Sequence, residues 1–215
     1  MAHINQSKIA KNTFSLCLLL GTLITLSFIY LTGHISTVHF FNSDALYLPT
    51  LLHDILDNGG HFNHWYLTPA PYFFPDYLIF YLAYLLKQDI YSQIAIYAVL
   101  QVMLTFIALW MLTQIIIKKE ACAIATTITS IIIWCAITQI EPFHLALISA
   151  FHYGGFLSSI LFIALWLSFQ HRTKRQQKIT LTLLYSLAFL LSLSDQLVCI
   201  HLITPFVLTN FIFHR

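Results

Sequence analysis

Phe41-Asn42-Ser43-Asp44-Ala45-Leu46-Tyr47-Leu48-Pro49 and Trp65-Tyr66-Leu67-Thr68-Pro69-Ala70-Pro71-Tyr72-Phe73-Phe74-Pro75-Asp76 lie within the segment, His34 to Leu86, that decides how the rest of the chain is arranged. This segment holds four of the eight acidic residues and five of the eleven histidines. Between Asn12 and Leu86 there is no Lys or Arg, so the formal charges there come from Asp44, Asp54, Asp57 and Asp76 alone. Lys and Arg collect in the cytoplasmic loops of membrane proteins. A long polar segment without either therefore belongs on the opposite, outer side.

The bulk composition supports that premise. Of 215 residues 59% are hydrophobic and 8% charged, with a mean hydropathy of +0.79. These values exclude an ordinary soluble domain or a disordered chain and fit a multi-span, all-α membrane domain. A net charge of +2, thinly spread, offers no surface for nucleic acid. Cys17, Cys122, Cys135 and Cys199 sit singly in apolar runs and read as small buried hydrophobes rather than a disulfide framework or metal site.

Working outward, Lys8 and Lys11 precede an apolar run from Phe14 to Leu31, long enough for a first span and lacking a small-x-small cleavage site. The amino terminus is then cytoplasmic, with the first span at 14–32 and the outer loop at 33–89. Within the loop, Leu51, Leu52, Ile55 and Leu56 recur at helical spacing opposite His53, Asp54 and Asp57, between Pro49 and Gly59-Gly60. This predicts a short amphipathic helix lying on the membrane surface. Tyr77 to Leu86 is read as a second surface or half-inserted helix, because a full crossing there would put Lys118-Lys119 and the basic run from His171 to Lys178 outside.

The remaining spans fall in 90–213. Ile90 to Ile117 runs inward, Ala121 to Ile140 outward, and Leu145 to Phe169 inward again, with an outer turn at Glu141-Pro142-Phe143-His144. Ile179 to Phe213 is too long for one span of about 20 residues and carries Ser194-Asp195-Gln196 in its middle. It reads as two short spans meeting at an outer turn, or as one long helix with Asp195 buried. The total is about six spans plus two surface helices, and no internal repeat or soluble domain is evident.

Asp44 follows the first span by a short exit segment and precedes the first surface helix, the Gly59-Gly60 break, the proline-aromatic run from Trp65 to Asp76 and the apolar helix before Ile90. This order resembles the first outer loop of membrane glycosyltransferases of the GT-C fold, the protein mannosyltransferase and aminoarabinose transferase type, over roughly residues 14 to 120. The resemblance implies transfer of a sugar from a polyprenyl-phosphate donor at the outer face of a bacterial plasma membrane. It also implies that Asp44 serves as the catalytic base or orients the acceptor. The family's acidic pair is Asp44-Ala45 here, and its His-Pro-Pro motif is replaced by Thr68-Pro69-Ala70-Pro71, which is carried over as architecture alone. The family's basic residues for the lipid phosphate have no counterpart up to Leu86, leaving that work to histidines or to a later part of the chain. Members have more spans and often a carboxy-terminal soluble domain, so the sequence reads as the truncated amino-terminal part of such a protein.

Other roles for these residues compete. Asp44 placed just ahead of a helix could be its N-terminal cap. His53, Asp54, Asp57, His61 and His64 lie close in sequence, and His61-x-x-His64 could turn two imidazoles toward one ion. No cofactor is demanded, and a divalent metal is the one this loop leaves open. Glu141 and Asp76 are further acidic candidates for an outer site. His152 and Asp195, at or near membrane depth, are positions that by default mark a pathway or a site, and Gly154-Gly155 suits close helix packing. A small transporter or channel lined by Glu141, His152 and Asp195 is the alternative function; a non-catalytic membrane protein is the third.

Overall fold

A computed structural model describes residues 2–35, 40–149, 152–169 and 173–213. The described residues form helices and turns without a strand. The helices are α1 (Ala2–Leu31), α2 (Tyr47–Asp57), α3 (Leu78–Leu86), α4 (Ile90–Ile116), α5 (Ala121–Ile137), α6 (Tyr153–Phe169), α7 (Lys174–Ser194) and α8 (Thr204–Phe213). Single turns at Phe62–His64, Phe73–Tyr77, Phe143–Leu147 and Cys199–Ile203 join them.

Three helical stretches are long and apolar enough to cross a membrane: Asn12–Leu31, Ile90–Ile116 and Lys174–Ser194. Their outward side chains include Phe14, Leu20, Phe28, Met103, Trp110, Ile116, Leu183, Phe189 and Leu193, all well exposed. Water would penalise such a continuous apolar surface, whereas lipid would not. These features suit a helix bundle embedded in a membrane.

The helix ends follow local chemistry. α4 starts where the Asp89 side chain accepts the Ser92 N–H at 2.8 Å, which satisfies one of the free donors of its first turn. α7 starts with a capping box between Thr173 and Gln176. Its far end comes at Asp195, whose extended backbone breaks the helix. The chain then turns back, and the Phe206 ring packs edge-on against Phe162 and Trp166 of α6. The stretch from Ile179 to Phe213 is thus two helical limbs with Asp195 at their junction, and Asp195 is also buried, 3% exposed.

Two groups of helices form the body. α1, α4 and α5 pack together around a core that includes Leu26, Tyr30, Tyr97, Ala98, Val102 and Ile133. α6 packs against α4 on one side and α7 on the other, and a second core of Phe162, Leu184, Leu191, Val198 and Leu202 lies on that far side. The turn Phe73–Tyr77 touches α3, α6 and α7. It therefore sits at the seam between the two groups.

Some boundaries differ from those the sequence predicts. The helix expected from Leu145 begins at Tyr153, preceded by the tight turn Phe143–Leu147. α5 stops at Ile137 rather than Ile140, where Gln139 takes a left-handed conformation, φ 61°. His171, in the basic run, lies outside the described residues.

Candidate functional site

Tyr72 is the centre of the site. Its backbone is left-handed, φ 57°, a conformation that bulky side chains avoid unless their surroundings enforce it. Here the last residue of α7 supplies the enforcement. Ser194 accepts the Tyr72 N–H through its carbonyl at 3.1 Å, and its hydroxyl oxygen accepts the Phe74 N–H at 2.8 Å. Ser194 is 1% exposed, so this clamp is shielded from water. Burial, then the carboxylates of Asp195, Asp76 and Asp44, push the Tyr72 hydroxyl up to about 12. The Tyr72 hydroxyl thus feels carboxylates from three separate parts of the chain.

Each carboxylate is held differently. Asp76 is 2% exposed, and the Tyr97 hydroxyl of α4 donates to its Oδ1 at 2.6 Å, a short charge-assisted bond. Its Oδ2 lies against Gly154, where an added Cβ would come within 2.1 Å. Asp195 accepts the Leu197 N–H on Oδ1 at 3.0 Å and faces His152 Nδ1 through Oδ2 at 2.7 Å. A Cβ on Gly155 would meet that same Oδ2 at 2.9 Å. Gly154-Gly155 therefore makes room for two buried carboxylates, a more specific role than helix packing.

Asp44, in contrast, is exposed and makes no side-chain hydrogen bond among the described residues. It does not cap α2, whose N-cap is Leu46 without a side-chain bond. The Asn42 side chain accepts the N–H groups of Asp44 and Ala45 at 3.1 and 2.9 Å. Buried Ser149 donates to the Ala45 carbonyl at 2.9 Å. The loop is thereby fixed on both sides of Asp44 while its carboxylate stays open. His152 has φ 64°, and its ring meets that of Tyr72 at 5.5 Å, edge to face. Two strained aromatic residues thus flank the carboxylates.

The other candidates fall elsewhere. His53 Nδ1 pairs with Asp57 at 2.5 Å, and its Nε2 meets the buried Gln93 amide. Tyr84 donates to the other Asp57 oxygen. Trp65 Nε1 donates to Asp54 at 2.7 Å. His61 and His64 are exposed, with ring centroids 5.6 Å apart. Among the described residues no three His, Cys, Asp or Glu side chains converge so as to hold a metal ion. Glu141 is exposed in its turn and enters no hydrogen bond or ion pair among the described residues.

Sequence reasoning assigned no site role to Tyr72, Tyr97 or Ser194. A signal for Tyr97 was available: Gln93, Tyr97, Gln101 and Thr105 recur every four residues and are buried along one face of α4, a polar stripe unusual in so apolar a helix. No family model, curated protein or solved structure matches this chain.

Proposed function

We infer that the protein is a membrane glycosyltransferase that moves a sugar from a polyprenyl-phosphate donor to an acceptor hydroxyl at the outer face of the membrane. The observation that carries this reading is the cluster in which the Tyr72 ring meets that of His152, His152 pairs with Asp195, and Gly154-Gly155 lies against Asp76 and Asp195, with Asp44 among the carboxylates that raise the Tyr72 hydroxyl. The donor's reacting bond lies at headgroup level, and the lysine-free loop that carries Asp44 and Asp76 belongs, by the positive-inside bias, at the outer ends of the helices. The break at Asp195 supports the outer turn there, and with it the arrangement of about six spans.

Asp44 is the base. It is exposed, free of side-chain bonds and fixed at the backbone, so it can reach an acceptor hydroxyl and take its proton. Asp76 and Asp195 are buried and engaged, and they position Tyr97, His152 and the turns around them. Tyr72, held protonated by its surroundings, presents a hydroxyl that can donate to a substrate oxygen. The test is transfer of a labelled sugar from a polyprenyl-phosphate donor by the purified chain in lipid. Transfer by the wild type and its loss in Asp44→Asn are expected; undiminished transfer by Asp44→Asn removes the assignment.

A further inference from the structure

Two clefts of opposite character meet at Lys87, the one Lys or Arg between Lys11 and Lys118. The first, about 890 Å³, is polar and has His53, Asp57, Tyr84, Lys87 and Asp89 in its lining. The second, about 510 Å³, runs between α1 and α4, with Tyr30, Leu31, Ile96, Val99 and Leu100 among its walls. Asp44, Tyr72, Asp76, His152 and Asp195 line neither cleft. Both clefts have fixed walls. The Lys87 carbonyl accepts the Gln93 amide at 2.9 Å, and its N–H donates to the Ala83 carbonyl at 3.2 Å. Across the second cleft the Tyr91 hydroxyl donates to the Tyr30 carbonyl and so ties α4 to α1. In the first cleft Asp89 accepts the Ser92 N–H on Oδ1 at 2.8 Å, and that bond holds its carboxyl below the ordinary value. A carboxylate accepts several hydrogen bonds, so Asp89 keeps acceptor capacity toward the cleft. Asp57, already bonded to His53 and Tyr84, adds a second negative charge to the same walls.

We propose that the two clefts together seat one zwitterionic aminophospholipid of the surrounding bilayer. Lys87 meets its phosphate, Asp89 accepts from its primary ammonium, and an acyl chain lies along Ile96, Val99 and Leu100. The charge pattern selects that head. An anionic head without an amine would meet Lys87 but face two like charges at Asp57 and Asp89, and a quaternary amine has no N–H to give a carboxylate. The dimensions fit as well. Lys87 and Asp89 lie where α3 ends and α4 begins, and Leu100 is about 16 Å further along α4 at 1.5 Å per residue. That is about half of a hydrocarbon core roughly 30 Å thick, the depth to which one leaflet's acyl chains reach. A lipid seated here covers the apolar walls of the groove and bridges the ends of α1 and α4, a binding role separate from sugar transfer.

The test titrates the purified full-length chain in detergent with dioleoyl phosphatidylethanolamine, phosphatidylcholine and phosphatidylglycerol, and counts bound lipid by native mass spectrometry. The ethanolamine lipid is expected to bind roughly tenfold tighter than either of the others, the worth of one charge-assisted hydrogen bond. Asp89→Asn keeps the helix cap, because asparagine caps as well as aspartate. It should bring the ethanolamine lipid down to the affinity of the choline lipid and leave the latter unchanged. Lys87→Gln should weaken all three, and so should Val99→Trp, which fills the groove. A Val99→Trp chain that melts at the wild-type temperature and still binds lipid normally removes the acyl seat and overturns the proposal. If Val99→Trp does not fold, Leu100→Ser takes its place and is read in the same way. Equal binding of the three lipids overturns the proposal, as does an ethanolamine preference that survives in Asp89→Asn. Soluble glycerophosphoethanolamine competing as well as the lipid overturns it too, because the head alone would then account for binding.

Discussion

The protein contains two histidine–aspartate pairs, and they are built for different ends. His53 and Asp57 are one helical turn apart on α2, with Asp57 exposed at 44%. Both ring nitrogens of His53 are taken, one by Asp57 and one by Gln93, and Tyr84 closes the remaining carboxylate oxygen. His152 and Asp195 come from the two chain ends of a helical hairpin, with the Asp195 side chain buried and one imidazole nitrogen left over. The first pair is a completed network that ties α2 to α3 and α4. The second leaves one imidazole nitrogen without a partner among the described residues, on a side chain that is 42% exposed. Identical residue types thus read as structure or as chemistry according to whether the polar valences are filled.

The largest expected effect tests the open cluster. Asp44→Asn should lower sugar transfer by roughly 10²- to 10⁴-fold, the usual worth of a positioned general base, whereas Asp57→Asn in the closed network should leave the rate within about twofold. Equal losses in the two variants would erase the distinction. Next comes Tyr97→Phe. It strips a hydroxyl that donates to the buried Asp76 and should cost about 2 kcal/mol, read as a fall in thermal midpoint in detergent. Gly154→Ala, which drives a Cβ to 2.1 Å from the same carboxylate, should cost about 1–3 kcal/mol by overpacking. A neutral outcome for either would mean that Asp76 is not fixed where the comparison needs it.

Tyr72 gives a subtler effect, visible at high pH. Its hydroxyl is pushed up to about 12, above the ordinary tyrosine value of about 10. A raised folded-state value favours the protonated form, so its stabilising contribution is complete below about pH 10 and is lost as pH rises toward about 12. Alkaline unfolding should therefore begin earlier in the wild type than in Tyr72→Phe once each is referenced to its own neutral-pH stability. Asp195→Asn should ease ionisation of Tyr72, which spectrophotometric titration against the Tyr72→Phe background would resolve.

Much of the scaffold was legible because the bilayer imposes long apolar runs. The helices from Phe14, Ile90 and Ala121, the amphipathic α2, and the interruption at Asp195 all announce themselves in hydropathy and periodicity. The composition of the site was legible in part, since Asp44, Asp76, His152 and Asp195 stood out as polar residues in costly places. Their assembly was not. Which carboxylate meets which partner depends on how α7 returns beside the Phe73–Tyr77 turn, and contacts between residues so far apart in the chain leave no local periodic trace. The role of Ser194 is invisible for the same reason: a serine near a helix end is unremarkable until its two oxygens are seen holding Tyr72 and Phe74. Pro49 and Gly59-Gly60 marked the ends of α2 well, but they made Asp44 look like a cap, whereas the helix starts three residues later with Leu46 as N-cap.

The smallest expected effect belongs to the closed pair, and it sharpens the comparison from the other side. The Tyr84 hydroxyl, and after it His53, hold the Asp57 carboxyl below the ordinary value of 3.8. A depressed folded-state value means the ionised form is favoured, so the contribution is present above the ordinary value and disappears as pH falls through the depressed one. Asp57 is exposed, and solvent screens what the pair can add. Asp57→Asn should therefore lower the thermal midpoint slightly at neutral pH, with the gap to wild type closing in acid and the transfer rate unchanged throughout. A gap that persisted in acid would show that the effect is packing rather than charge. A change in the rate would show that α2 communicates with the Tyr72 site, and the division between a finished network and an open one would have to be redrawn.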